Sequence, residues 1–285
     1  MPDQAERLRE LAREWGRKQL KPAGRVIAVA SGKGGVGKTN FAVNLGLALR
    51  ELGKTVTILD ADLGLANVDV VLGITPTYTL AHVARREKSL PEVVCLSHGL
   101  KVVAGCSGFE ELVDLPDHEL GRLVKEAAEL ESDFFLIDTG AGIARPVISL
   151  ALAAQEVVVI TTPEPTSLTD AYALIKVLFR RNPHITLHLV VNRVASLAEG
   201  ERVAENLKRV AEEFLDAKLN HLGSIPEDSA VRSCVARQEP LMCSCPGAPA
   251  AREFRQIAAA LSGCAVLPAK GGLPGFLGRL RFLVR

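Results

Sequence analysis

Gly32-Lys33-Gly34-Gly35-Val36-Gly37-Lys38-Thr39 follows directly on the apolar run Val26–Ala30. A strand, a glycine-rich turn and then G-K-T is the arrangement that wraps a nucleotide's phosphates in backbone N–H groups. Lys38 is placed to neutralise the β- and γ-phosphates, and the Thr39 hydroxyl to ligate Mg²⁺. The helix expected after the loop carries Phe41, Leu45, Leu49 and Leu52 at helical spacing. Lys33 is the unusual residue. It cannot easily reach the phosphates of its own loop, so it suggests a charge given to a partner's nucleotide.

Outward from this loop the chain alternates. Apolar runs at Val56–Leu59, Leu100–Ala104, Phe134–Ile137, Val157–Thr161, Leu187–Val191 and Leu222–Ile225 read as strands, most of them buried on both faces. Helical patterns over 117–130, 167–181, 201–215 and 249–261 lie between many of them. The expected fold class is α/β, a single doubly wound, mostly parallel sheet flanked by helices. In such a sheet, ligands sit outside the carboxyl ends of the strands.

The residues at those strand ends are therefore the site candidates. Asp138 ends the apolar strand Phe134–Ile137, where an acid can hold Mg²⁺ directly or through water. Thr139-Gly140-Ala141-Gly142 after it is small enough to bring backbone to the γ-phosphate and to move once that phosphate is gone. Asp60 and Asp62 follow the strand Val56–Leu59. One is expected in the metal shell, favouring Asp60, and the other on the attacking water, favouring Asp62; a capping or turn pair is the bland alternative. Asn192-Arg193 and Pro226-Glu227-Asp228 end two late strands. An amide and an acid there can read adenine, or serve only as ordinary loop chemistry.

Bulk composition limits the classes. The 285 residues are 48% hydrophobic and 24% charged, with net charge +1. No global charge argues for nucleic acid, and no eighteen-residue apolar stretch argues for a membrane span. The polar N-terminus does not read as a signal peptide. The six cysteines, at 95, 106, 234, 243, 245 and 264, are expected to be reduced cytosolic thiols. Cys243-Ser244-Cys245 is the only close pair, one residue apart rather than the two of common zinc or redox motifs.

The two ends carry separate signals. Residues 3–20 form an amphipathic helix candidate with Asp3 as N-cap, and residues 21–24 a linker. The helix stripe must be covered by its own domain or by a partner. Residues 268–275 read as a tether. In 276–285, Phe276, Leu277, Leu280, Leu283 and Val284 share a helical face, Arg279, Arg281 and Arg285 flank it, and Phe282 falls among the arginines. A short basic amphipathic helix of this kind suits an anionic membrane interface. At about 1 kcal/mol per Arg near such a surface, one copy binds weakly and two in a dimer bind better. Packing of this helix on the body is the alternative.

Together these residues resemble the MinD/ParA class of P-loop ATPases over about residues 25–263. The resemblance rests on the Lys33-bearing loop, Asp60-Ala61-Asp62-Leu63-Gly64-Leu65-Ala66-Asn67-Val68-Asp69, the Asp138 strand, Thr162-Pro163-Glu164-Pro165-Thr166-Ser167, Asn192-Arg193 and Ile225-Pro226-Glu227-Asp228. It implies ATP/ADP and Mg²⁺ as cofactors, with nucleotide bound by Gly32 through Asn40, and Asn192, Arg193, Pro226 and Asp228 at adenine. Thr39, Asp60 and Asp138 would be at the metal; Lys33, Lys38 and Asp62 would be catalytic. It also implies an ATP-driven homodimer in which Lys33 reaches across to the partner. Asn40 departs from the second Thr or Ser of many relatives, while Thr39 is intact.

Asp3-Gln4-Ala5-Glu6-Arg7-Leu8-Arg9 is further similar to the N-terminal motif of the FlhG family of flagellar number and placement regulators. That implies stimulation of the GTPase FlhF by residues 1–20, contact with flagellar basal-body proteins, and a cytoplasmic protein reversibly attached to the inner face of the plasma membrane through residues 276–285. A division-site regulator of MinD type stays open, as does an iron–sulfur carrier using Cys243 and Cys245.

Overall fold

The structure is a computed structural model. It describes residues 24–62, 67–105, 117–263 and 271–284. The expected helix at 1–20 and most of the linker after it lie outside these.

The central strand β1 (Arg25–Ser31) leads through the glycine loop into α1 (Lys38–Glu51). Then come β2 (Val56–Ala61), α2 (Val68–Leu72), α3 (Leu80–Ala84), β3 (Val94–Ser97), β4 (Leu100–Val103), α4 (Asp117–Glu129) and β5 (Phe134–Ala141). The second half holds α5 (Arg145–Ala153), β6 (Glu156–Thr161), α6 (Pro165–Arg181), β7 (Thr186–Val194), α7 (Leu197–Leu215) and β8 (Leu219–Pro226). It closes with α8 (Ser229–Ala236), α9 (Leu241–Ser244), α10 (Pro249–Gly263) and α11 (Gly272–Val284).

Among the described residues the strands form one sheet in the order β3-β4-β2-β5-β1-β6-β7-β8. All neighbours are parallel except β3 and β4. Strand β1 alternates its side chains between two cores, as a pleated strand must. Val26, Ala28 and Ala30 face α4, α5, α6, α7 and α11, and Ile27 and Val29 face α1, α2, α9 and α10. This is the doubly wound architecture expected. The strand missed by the sequence pattern is β3. It is a four-residue edge strand folded back on β4 through His98 and Gly99, both at positive φ (50° and 77°), as a two-residue hairpin requires.

The C-terminus corrects an expectation. The tether 268–275 does not extend to 275: residues 268–270 lie outside the described part, and helix α11 starts at Gly272, with Gly275 N–H donating to Gly271 O at 2.7 Å. Nor does its apolar face lie open to a membrane here. Leu273, Phe276, Leu277 and Leu280 are buried in the core that α4 and α5 share. Arg279 donates from Nε to Ala153 O, at the C-terminal end of α5, at 2.8 Å. Ser149 donates to Leu283 O at 3.1 Å. Burying each such side chain contributes roughly 1.5–3 kcal/mol, so the stripe that suits lipid equally suits a protein core.

Candidate nucleotide site

The loop between β1 and α1 is shaped by its glycines. Gly35 and Gly37 sit at φ +77° and +94°, a region where any other residue is strained. At Gly32 the reason is contact: a Cβ there would lie 2.1 Å from Asp170 O on α6. Ser31 donates to Lys33 O at 2.7 Å, and Asn192 donates from Nδ2 to Val36 O at 2.8 Å, so the loop is pinned from both ends. Gly37 caps α1 with no side-chain hydrogen bond. The helix's first N–H groups are thus left for an anion, in the field of the helix dipole.

This loop forms one wall of a cavity of about 720 Å³, within the range of small-molecule sites. Gly34, Gly35, Gly37, Lys38, Thr39 and Asn40 line it, with Asp62, Ala141, Asn192, Arg193, Pro226 and Asp228 from the neighbouring strand ends. Five expected site residues, Gly32, Lys33, Val36, Asp60 and Asp138, do not line it.

The buried charges decide what the cavity can hold. Lys38 is 8% exposed. Burial pulls its ammonium below the ordinary lysine range, against the opposing pull of Asp138 and Asp62. A phosphate would supply the anion that restores it. Asp138 is 1% exposed, and neither carboxyl oxygen has a hydrogen-bond partner. Burial, opposed by the Thr39 hydroxyl and reinforced by Asp60, raises its carboxyl to about 7. A buried carboxylate that no donor satisfies is costly unless something else neutralises it. A divalent cation that Asp138 and Thr39 would hold fits that chemistry, and Mg²⁺ suits hard oxygen donors of this kind.

Asp60, paired in register with Asp138, is held by backbone N–H groups. Its Oδ1 accepts from Asp62 N–H at 3.2 Å, and its Oδ2 from Asn67 and Val68 N–H at 2.9 and 3.0 Å. Burial raises its carboxyl to about 6, and those backbone bonds oppose the rise. Through these bonds Asp60 organises the turn into α2. Asp62, by contrast, lines the cavity. Its Oδ1 lies 3.3 Å from where a Cβ on Gly140 would be, so the glycine makes room for it.

The adenine candidates divide similarly. Asp228 caps α8, accepting from Ala230 N–H at 2.9 Å, and its other oxygen accepts from Ala250 N–H at 3.2 Å. Asn192 holds Val36 with its amide nitrogen and receives Arg193 N–H on its oxygen at 2.9 Å. Both line the cavity, but each is committed to bracing its wall. The apolar surface that a base would stack on comes from residues the sequence reading passed over: Val70, Val71, Ile225, Val231, Val235 and Phe254. The four-residue spacing of Val231 and Val235 on α8 was the available signal.

Lys33 points out of the cavity. Its Nζ donates to Glu164 Oε2 at 2.9 Å and to Thr166 Oγ1 at 3.0 Å, at the start of α6.

Residues 23–262 match the family described as ParA, NUBPL iron-transfer P-loop NTPase. Over 236 residues, 82% of this chain and 84% of the relative, the chain is 43% identical to the antiactivator FleN of Pseudomonas aeruginosa. It is 36% identical over 263 residues to the flagellum site-determining protein YlxH of Helicobacter pylori, covering 89% and 88% of the two chains. Among solved structures it resembles the septum site-determining protein MinD of Pyrococcus horikoshii, in complex with Mg-ADP. The TM-score is 0.70 and the identity 26%, over 87% of this chain and 99% of that one.

Proposed function

The chain belongs to the ParA/MinD family of P-loop ATPases, and from that premise we propose that it is a flagellar switch, an ATPase whose nucleotide state governs dimerisation and membrane attachment and through them flagellar number and placement. The chemistry rests on one observation above all: Asp138, buried with both oxygens unpartnered, lies beside the loop that carries Lys38 and Thr39. The flagellar role rests on a relative named as a flagellum site-determining protein and matched over more than four-fifths of both chains.

The loop's N–H groups and Lys38 bind the phosphates. Thr39 and Asp138 would hold Mg²⁺, which would supply positive charge against the phosphates. Asp62 orients the attacking water from the cavity rim. Hydrolysis is sensed by Thr139–Gly142, where Gly142 N–H is bonded to Ser31 O at 2.8 Å. Lys33 leaves Glu164 to reach a second copy's nucleotide. Since the apolar face of α11 is buried in the single chain, attachment to an anionic membrane requires that helix to leave α4 and α5. Residues 1–20 stimulate a partner GTPase of FlhF type.

The test is liposome pelleting with ATP, in parallel with turnover. Asp62→Ala is expected to abolish hydrolysis and to prolong the membrane-bound dimer, and Lys33→Ala to prevent both. Unchanged turnover in Asp62→Ala would remove the residue from the mechanism. A peptide of residues 1–20 that leaves FlhF turnover unaltered would remove the partner assignment.

The described residues offer no group of three or more His, Cys, Asp or Glu side chains that could hold a metal ion, and Cys245 Sγ lies 3.7 Å from Cys234 Sγ. None of the described helices is long and apolar enough to cross a membrane.

A further inference from the structure

Three cysteines lie on α8 and α9, and two of them touch. Cys234, on α8, is fully buried. Cys245, at the C-cap of α9, is partly exposed. Their sulfurs are 3.7 Å apart, so a bond of about 2.05 Å needs a closure of less than about 2 Å. Cys243 is exposed.

We propose that Cys234 and Cys245 form a reversible disulfide, and that the bond slows nucleotide exchange by fixing the adenine wall to the phosphate-loop helix. The second half rests on the nucleotide reading of the cavity given above.

The geometry supplies an order of events. Cys245 is the sulfur an oxidant can reach. Its thiolate attacks a low-molecular-weight disulfide, forming a mixed disulfide and releasing one thiolate. Cys234 then gives up its proton to solvent and attacks Cys245 Sγ, expelling the second thiolate. Two protein thiols and one small disulfide thus become one protein disulfide and two small thiols. Burial, with Cys245 and Glu239 beside it, pushes the Cys234 thiol up to about 11, so it does not initiate. Arg237 Nη2, 3.6 Å from Cys234 Sγ, favours the thiolate as it forms.

The wall and the loop helix are connected through these two positions. Val231, Arg232, Val235 and Ala236, on the helix that carries Cys234, line the cavity. On the other side, Met242 N–H donates to Asn44 Oδ1 of α1 at 3.0 Å. A covalent bond from α8 to the end of α9 therefore joins the wall to α1, and opening the cavity would require both to move together.

The experiment uses the full chain with oxidised glutathione or a phosphine reductant, alkylation and peptide mass mapping, and release of a fluorescent ADP analogue. A Cys234–Cys245 cross-linked peptide is expected, reversed by reductant, with analogue release slower by at least about threefold in the oxidised form. Cys245→Ser removes both effects and Cys243→Ser neither; Cys234→Ala repeats the first result should the serine at 245 disturb α9. Glutathione found only on Cys243, or both inner thiols alkylated after oxidation, overturns the disulfide. Equal release rates from the two forms overturn the coupling. An analogue that binds neither form instead removes the cavity assignment and leaves the mapped bond standing.

Discussion

The two ends of one sheet treat buried charge in opposite ways. At the N-terminal ends of β1, β6 and β7, Glu156 is fully buried and receives Arg25 through Nε and Nη2 at 2.8 and 2.7 Å and His188 Nε2 at 2.8 Å. Arg25 spends another nitrogen on Leu261 O. Burial alone would raise the Glu156 carboxyl, but the bonds from His188 and Arg25 outweigh it and hold the group below its ordinary range. At the C-terminal ends, Asp138 is equally buried, has the Thr39 hydroxyl beside it and is bonded to no cation of the chain. A buried charge with its partners built in is part of the fold. One without them has its partner supplied from outside, and that marks a binding site.

Exchanging the two environments should break the contrast most sharply. Asp138→Asn is expected to lower ATP turnover by roughly a thousandfold, about 4 kcal/mol of transition-state stabilisation, while the melting temperature of the nucleotide-free protein stays level or rises. A melting temperature that falls instead would mean Asp138 has a partner after all. Glu156→Ala should do the reverse. With Arg25 and His188 left facing an empty acceptor, about 3 kcal/mol of stability is lost in urea titration, and turnover per folded molecule is kept.

The pH dependence of stability sharpens the comparison further. Asp138 and Asp60 titrate at about 7 and about 6, above their unfolded value of 3.8. Between about pH 4 and 7 the folded state therefore holds protons that the unfolded chain has lost, and stability falls as pH rises through that window. Glu156, lowered, contributes stability that is complete above the ordinary glutamate range and disappears as pH falls below it. Urea midpoints for the nucleotide-free protein should decline from pH 4 to 8, and Asp138→Asn should flatten the decline.

The smallest effect concerns Lys33. Its ion pair with Glu164 is exposed on both sides, 39% and 63%, and such pairs contribute at most about 1 kcal/mol. Glu164→Gln should favour the ATP-bound dimer by no more than about fivefold in sedimentation, and a larger gain would mean that Glu164 does more than hold Lys33 in the single chain.

Local signals were legible and tertiary ones were not. The phosphate loop announces itself because Gly35 and Gly37 need left-handed backbone and Lys38-Thr39 start a helix, all within eight residues. The interior strands are legible because a strand buried on both faces must be apolar throughout. The backbone bonds of Asp60 and Asp228 were not legible for one reason: a carboxylate at a strand end accepts a backbone N–H as readily as it accepts a cation or a base. Only the position of Asn67, Val68 and Ala250 decides between these. The apolar stripe of α11 was legible and its docking was not, since one stripe serves lipid and protein alike. The contact between Cys234 and Cys245 depends on where α9 falls against α8, which no spacing encodes.

Strand β1 has a further consequence, in the time course of synthesis. Among the described strands it is the first made, yet it sits between β5 and β6, pairing Arg25 with Phe134 and Ile27 with Glu156. The phosphate loop therefore emerges from the ribosome long before the strands that fix it, and cannot take its shape until β6 has been translated. Its apolar run waits unpaired meanwhile, a stage at which such segments invite wrong contacts. The site is encoded early and assembled late, so a nascent chain stalled before residue 156 should not retain nucleotide.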